Sequence, residues 1–159
     1  MNISVRKGLG FGLTSGIITT LGLLVGLNAG THSKQVVLGG ILVVAIADAL
    51  SDALGMHVSE EAGSKTTTNK QIWSSTFSTT FFKFLFALSF AVPVLIFDLS
   101  TAVLVSIVWG ILLLSSFSYA VAKKREQNPF YSVFEHVAIA IVVIVLTYFI
   151  GNWVSTWAV

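Results

Sequence analysis

The chain has 159 residues, 55% of them hydrophobic and only 10% charged, and its mean hydropathy is +0.88. A soluble domain carries about 25% charged residues to solvate its surface, so a globule in water is excluded and lipid is left as the solvent. A net charge of +2, with its Lys and Arg scattered, gives no footprint for nucleic acid, and the lack of cysteine removes disulfides and thiolate metal ligands.

Five apolar runs follow, each close to the roughly 20 residues that cross a bilayer. The first covers residues 8–29 and is rich in glycine and hydroxyl side chains. Arg6 and Lys7 precede it as a signal peptide's basic residues would, but the uncharged stretch to Thr31 exceeds the roughly 7–15 residues of such a segment. A retained first helix is expected. Gly8, Gly12 and Gly16, then Gly22, Gly26 and Gly30, repeat every four residues, a spacing that lets helix backbones approach closely. Their expected partner is the second helix or a dimer mate.

The second run, residues 36–56, is interrupted by Asp48 and Asp52. Asp48, Ser51, Asp52, Gly55, Met56 and Ser59 recur at steps of three and four, which places them on one helical face. An aspartate inside a span costs about 2.5–3.5 kcal/mol on insertion scales, so two imply a hydrated cavity, a partner or an ion. Carboxylate oxygen suits Mg, Ca, Mn and Fe(II), and a thioether favours softer ions. Burial disfavours the charged form of a carboxylate, which allows proton-for-metal exchange. The expected ligands are Asp48, Asp52, Met56 and Glu60, with Ser15, Ser51 and Ser59 as supporting oxygens. The opposing expectation is structural: the aspartates merely lock helices together through Thr14, Ser15 or Thr19. His57 lies off the acidic stripe and reads as interfacial.

The third run, residues 72–97, contains Lys83, and the fourth, 99–122, is uncharged. The fifth, 133–157, opens with Glu135 and His136. Lys83 and Glu135 are both expected about two turns inside the same boundary. They would pair there, with His136 as a proton relay, unless Lys83 snorkels to the headgroups. Trp73, Trp153 and Trp157 fall where aromatic belts are expected. Long closed runs of this kind suit helices and not a barrel. If the spans alternate, Arg6, Lys7, Lys65, Lys70, Lys123, Lys124 and Arg125 share one side and only Lys34 takes the other. The expected fold is therefore all-α, with five transmembrane helices, a cytoplasmic N-terminus and an external C-terminus.

The pattern Ser51-x-x-x-Gly55-x-x-x-Ser59-Glu60-Glu61 resembles the second-helix signature of the vacuolar iron transporter family. Gly12-Leu13-Thr14-Ser15-Gly16 resembles that family's opening motif, and Ser78, Phe81, Pro93 and Gly151 fit its later spans. The resemblance covers essentially the whole chain, with specificity concentrated in the second helix. It implies a homodimer of five-helix subunits that exports Fe(II) or Mn(II) from the cytoplasm in exchange for protons. Ser15 stands where the family has an aspartate. Asp52 and Met56 stand where it has methionine and glutamate, and its helical metal-binding insertion after the second helix is missing. Expected partners are the bilayer, the transported cation and a second copy. No cofactor and no enzymatic activity are expected, since no nucleophile–base or HExxH-type constellation is present. The competing class is a non-transporting membrane scaffold.

Overall fold

The computed structural model describes residues 2–63 and 66–157; Lys65, counted above in the charge asymmetry, lies outside them. The described residues form α1 (Ile3–Thr31), α2 (Lys34–Gly63), α3 (Asn69–Ser89), α4 (Ala91–Ile96), α5 (Leu99–Lys124) and α6 (Pro129–Ser155), and no strand occurs among them. Five segments are long and apolar enough to cross a membrane, with α3 and α4 joined as one span over Asn69–Ile96. The chain is an all-α, multi-pass membrane protein.

Capping sets the helix ends, and it carries several helices past the apolar runs. Gln71 Oε1 accepts from the Thr68 backbone N–H at 2.9 Å, which starts α3 three residues before residue 72. Asn128 Oδ1 accepts from Phe130 N at 3.1 Å, with Pro129 at the first position of α6. His32, at φ 48°, closes α1 by sending its N–H to Asn28 O at 3.0 Å. Across that turn, Lys34 Nζ donates to Phe97 O at 2.9 Å and so caps the carbonyls that end α4. This accounts for the one lysine on the side opposite the other basic residues.

Asp98 caps α5 by accepting from Thr101 N at 3.0 Å, and that backbone bond holds its carboxyl below the ordinary range. A depressed carboxylate stabilises the fold above its unfolded value of about 3.9 and loses that contribution as pH falls through the lower folded value. We expect Asp98→Ala to lower the thermal midpoint at pH 7 and to flatten its acid dependence below pH 4, while Asp98→Asn keeps most of the cap. Thermal unfolding of the three proteins across that pH range checks this.

The third span is not the single helix expected over 72–97. It breaks at Phe90, because Pro93 has no N–H to offer the Ser89 carbonyl and its ring crowds that carbonyl. Ser89 Oγ sits at the break, donating to Phe86 O at 2.6 Å and accepting from Trp109 Nε1 at 3.3 Å.

Helix α1 is the centre of the bundle, packed on α3, α6, α2 and α5. Its two glycine runs serve different neighbours, and neither is the one expected. A Cβ on Gly12 would lie 2.7 Å from Thr79 O and 2.9 Å from Lys83 N, so the first run is the seat of α3. The second run faces α6: a Cβ on Gly30 would lie 3.3 Å from Gly151 O, and one on Gly151 would collide with Gly26 O. Without water to drive association, backbone proximity of this kind is what joins helices in lipid. Helix α5 buries Ala102, Ser106, Gly110, Leu114, Ser118 and Ala122, one side chain per turn. Gly110 there accommodates Leu21 of α1. Helix α6 fully buries only Ala140 and Gly151; Val143 and Thr147 meet the second glycine run of α1, and most of its outer face is exposed. Trp73, Trp153 and Trp157 are exposed near span ends, as belts require.

Candidate functional site

Helix α3 is rich in hydroxyls that would be costly in lipid, and most bond back to their own helix. Ser75 reaches Ile72 O at 2.9 Å, Thr76 reaches Ile72 O at 2.8 Å and Ser78 reaches Ser74 O at 2.6 Å. Satisfied in this way, α3 lies against the glycines of α1 and delivers one long cation between α1 and α2. That cation is Lys83, whose side chain is fully buried. Its stem runs over Gly16, where an added Cβ would meet Lys83 Cγ at 3.4 Å.

The ammonium ends between two carboxylates. Lys83 Nζ lies 2.6 Å from Asp48 Oδ2 and forms a second, closer ion pair with Asp52 Oδ2. It also donates to Ser15 Oγ at 2.9 Å, and Ser15 in turn donates to Asp52 Oδ2 at 2.6 Å. Asp52 is thus the hub, bonded to both α1 and α3. Asp48 is held by its ion pair with Lys83, and its buried Oδ2 has no further hydrogen-bond partner among the described residues. Three helices are joined by four side chains, with one more carboxylate than ammonium among them. At 1.5 Å per residue, Ser15, Asp48, Asp52 and Lys83 lie roughly 16–22 Å from the helix ends on the N-terminal side of the bundle, near the middle of their spans.

Three isolated charges at that depth would cost roughly 8–10 kcal/mol on insertion scales. Mutual pairing offsets much of that cost, as it does for buried ion pairs whose remaining lone pairs are also bonded. The site is not sealed. The side chains of Asp48 and Asp52 remain 31% and 21% accessible, against 0% for Lys83. The ammonium is therefore enclosed while the carboxylates retain an open side along α2.

The structure brings together only part of the expected ligand set. Asp48, Asp52 and Ser15 meet. Met56 lies one turn further along and is half-buried, and Ser51 and Ser59 are exposed on the outer face of α2. Glu60 is engaged elsewhere: Lys7 of α1 donates to its two oxygens at 2.9 and 3.2 Å. Among the described residues no group of three or more His, Asp or Glu side chains is placed to hold a metal ion unaided. Thr14 and Thr19 bond to Gly10 O and Ser15 O in their own helix, leaving Ser15 as the α1 hydroxyl at the aspartates.

The pairing of Lys83 with Glu135 does not form. Lys83 is about four turns into α3 and Glu135 about two turns into α6, so they differ in depth by roughly 12 Å. Glu135 is exposed and has no ion-pair partner among the described residues. His136 is bonded instead to Ser118 Oγ at 2.7 Å. Ser118 is itself bonded to Leu114 O, so the imidazole is turned toward α5, away from any relay to Lys83. His57 is likewise fixed outside the site, by Thr76 Oγ1 at 3.1 Å and an edge contact with Trp73. The Lys83 contact went unread in the sequence, yet Thr68-x-x-Gln71 carried a signal for it: a capping box there starts α3 early and brings Lys83 to the depth of Asp48. No protein-family model and no curated protein matches the chain, so a functional reading rests on these residues.

Proposed function

We propose that this protein carries a divalent cation across the membrane, with Asp48 and Asp52 as the oxygen donors and Lys83 as the resident cation that the cargo displaces. The observation supporting this reading is the asymmetry of the cluster: a fully buried ammonium against two carboxylates with an open side and a surplus negative charge. An ion entering from α2 meets that surplus and competes with Lys83 for the same oxygens. Ser15, bonded to both Lys83 and Asp52, keeps the carboxylate oriented whichever cation is present. Met56 supplies a softer donor one turn nearer the N-terminal side, and Glu60, freed from Lys7, draws ions to that mouth.

Export of Fe(II) or Mn(II) from the cytoplasm against protons, implied by the resemblance to vacuolar iron transporters, belongs to the same proposal. So do the cytoplasmic N-terminus and the homodimer. The glycines of α1 are occupied within the chain, so a second copy would pack on a surface other than theirs.

A second reading has an observation of its own: Lys83 already contacts both carboxylates, as a purely structural lock between α1, α2 and α3 would require. Flux separates the two. In proteoliposomes we expect uptake of Mn(II) or Fe(II) above protein-free vesicles, increased by a pH gradient and exceeding that of Zn(II) and Ca(II). Asp48→Asn removes one donor carboxylate while Asp52 keeps its bonds to Ser15 and Lys83, so flux should fall at least about tenfold while the thermal midpoint changes little. Absence of flux for all four ions would leave the structural lock as the function.

A further inference from the structure

The N-terminal side of the bundle carries a second charged feature that the transport reading does not use. Between α1 and α5 lies a groove of about 250 Å³ lined by Arg6, Leu9, Phe117, Ala120, Val121 and Lys124. Its two cations come from the beginning of α1 and the last residue of α5, which the antiparallel course of the spans brings to one boundary. Its floor is apolar and descends one to two turns toward the middle of the bundle, with Phe117 reaching across to Gly10.

Lys7 is occupied by Glu60, Lys34 by the Phe97 carbonyl and Lys83 by the aspartates, while Lys70, Lys123 and Arg125, which form no ion pair among the described residues, lie outside the groove. Arg6 and Lys124 have no carboxylate partner among the described residues. Arg6 also sits in the first turn of α1, where no acidic residue stands and where the helix dipole opposes a positive charge. An anion placed between the two side chains relieves both conditions. The guanidinium can grip a phosphate through two N–H groups, and the lysine adds a point charge. A free phosphate would leave the apolar floor unused, whereas a glycerophospholipid places an acyl chain on it. Basic recesses between helices at a membrane boundary have this composition when they hold lipid headgroups.

From this complementarity we infer that the α1–α5 groove binds one anionic phospholipid, its phosphate between Arg6 and Lys124 and an acyl chain along Leu9, Phe117, Ala120 and Val121. The bound lipid bridges the ends of α1 and α5 and steadies the contact between them on the side where Glu60 and Lys7 meet. The inference is independent of cation transport.

The test uses the full chain in detergent, with lipid retention read by native mass spectrometry and stabilisation by thermal unfolding. Phosphatidylglycerol should be retained at one molecule per chain and should raise the midpoint. Phosphatidylcholine and inorganic phosphate should do neither. Arg6→Gln with Lys124→Gln should weaken phosphatidylglycerol binding roughly 30-fold, from about fivefold per cation near a membrane surface. Lys123→Gln with Arg125→Gln removes the same charge outside the groove and should weaken it by less than about fivefold. Ala120→Trp keeps both cations but fills the floor, and it should abolish retention. Equal loss in the two charge variants would reduce the effect to a diffuse surface potential, and stabilisation by inorganic phosphate alone would make the ligand a free anion. Either result, or undiminished retention in Ala120→Trp, overturns the lipid site.

Discussion

Lys83→Met is expected to lower stability by about 3–5 kcal/mol, the usual cost of removing one partner from a buried ion pair, and to make the remaining stability depend on divalent cations. The size follows from the cluster. Without the ammonium, Asp48 and Asp52 face each other across one helical turn in a medium that screens poorly, and Ser15 alone bonds to either of them. The cation dependence follows from the proposal that cargo and lysine compete for the same oxygens. A divalent ion at 100 times its dissociation constant restores about 2.7 kcal/mol by mass action, so most of the loss should be recoverable. Wild-type protein, with Lys83 in place, should respond only at much higher ion concentrations. Reversible unfolding in mixed micelles, with Mn(II) titrated into each protein, measures both effects. A Lys83→Met protein that is destabilised yet indifferent to every divalent ion would identify the cluster as a structural lock.

A companion variant isolates the charge term. Adding Asp52→Asn to Lys83→Met removes the repulsion, and it should recover part of the stability without any ion. Double substitutions within one network are non-additive by about 0.5–3 kcal/mol, and the sign here should be favourable. Recovery with ion but not with Asn would mean that the cluster needs a cation between the two side chains and not merely relief of their repulsion.

The five spans were legible because hydropathy and length carry that information locally, and lipid enforces closed hydrogen bonding within each segment. The two aspartates were legible for the same reason: a charge in an apolar run stands out wherever the helix goes. What the sequence did not carry was the identity of partners. The repeat Gly8, Gly12, Gly16 announces a face that will be approached closely, yet it says nothing about which helix comes to it. The seat of α3 on α1 follows from the arrangement of all five spans. Lys83 and Glu135 illustrate the same limit. Both are charged and near one side, but the pairing is decided by depth and azimuth, which depend on the cap at Thr68 and on the packing of α3. The break at Phe90 is a different kind of miss, since Pro93 and its effect on the Ser89 carbonyl were readable from the chain alone.

Gly12→Ala should cost about 2–3 kcal/mol, and Gly12→Val more, although each replaces glycine with a residue of equal or better helix propensity. The added Cβ would sit 2.7 Å from Thr79 O and 2.9 Å from Lys83 N. Both are backbone atoms of a helix and cannot rotate aside, so α1 and α3 must separate by several tenths of an ångström. Overpacking of this sort costs about 1–3 kcal/mol in well-packed interiors, and here the same displacement stretches the bonds from Ser15 to Lys83 and Asp52. Gly39 and Gly55 on α2 provide the control, since a Cβ at either meets nothing within 4 Å. Alanine there should be neutral or stabilise by up to about 1 kcal/mol through helix propensity. Unfolding measurements on the four alanine and valine variants, paired with Mn(II) flux, then distinguish two causes of lost activity. If the carboxylate cluster is the transport site, Gly12→Ala should lose flux along with stability because it moves the donors. Gly55→Ala should keep both, since it leaves Asp48, Asp52 and Lys83 where they are.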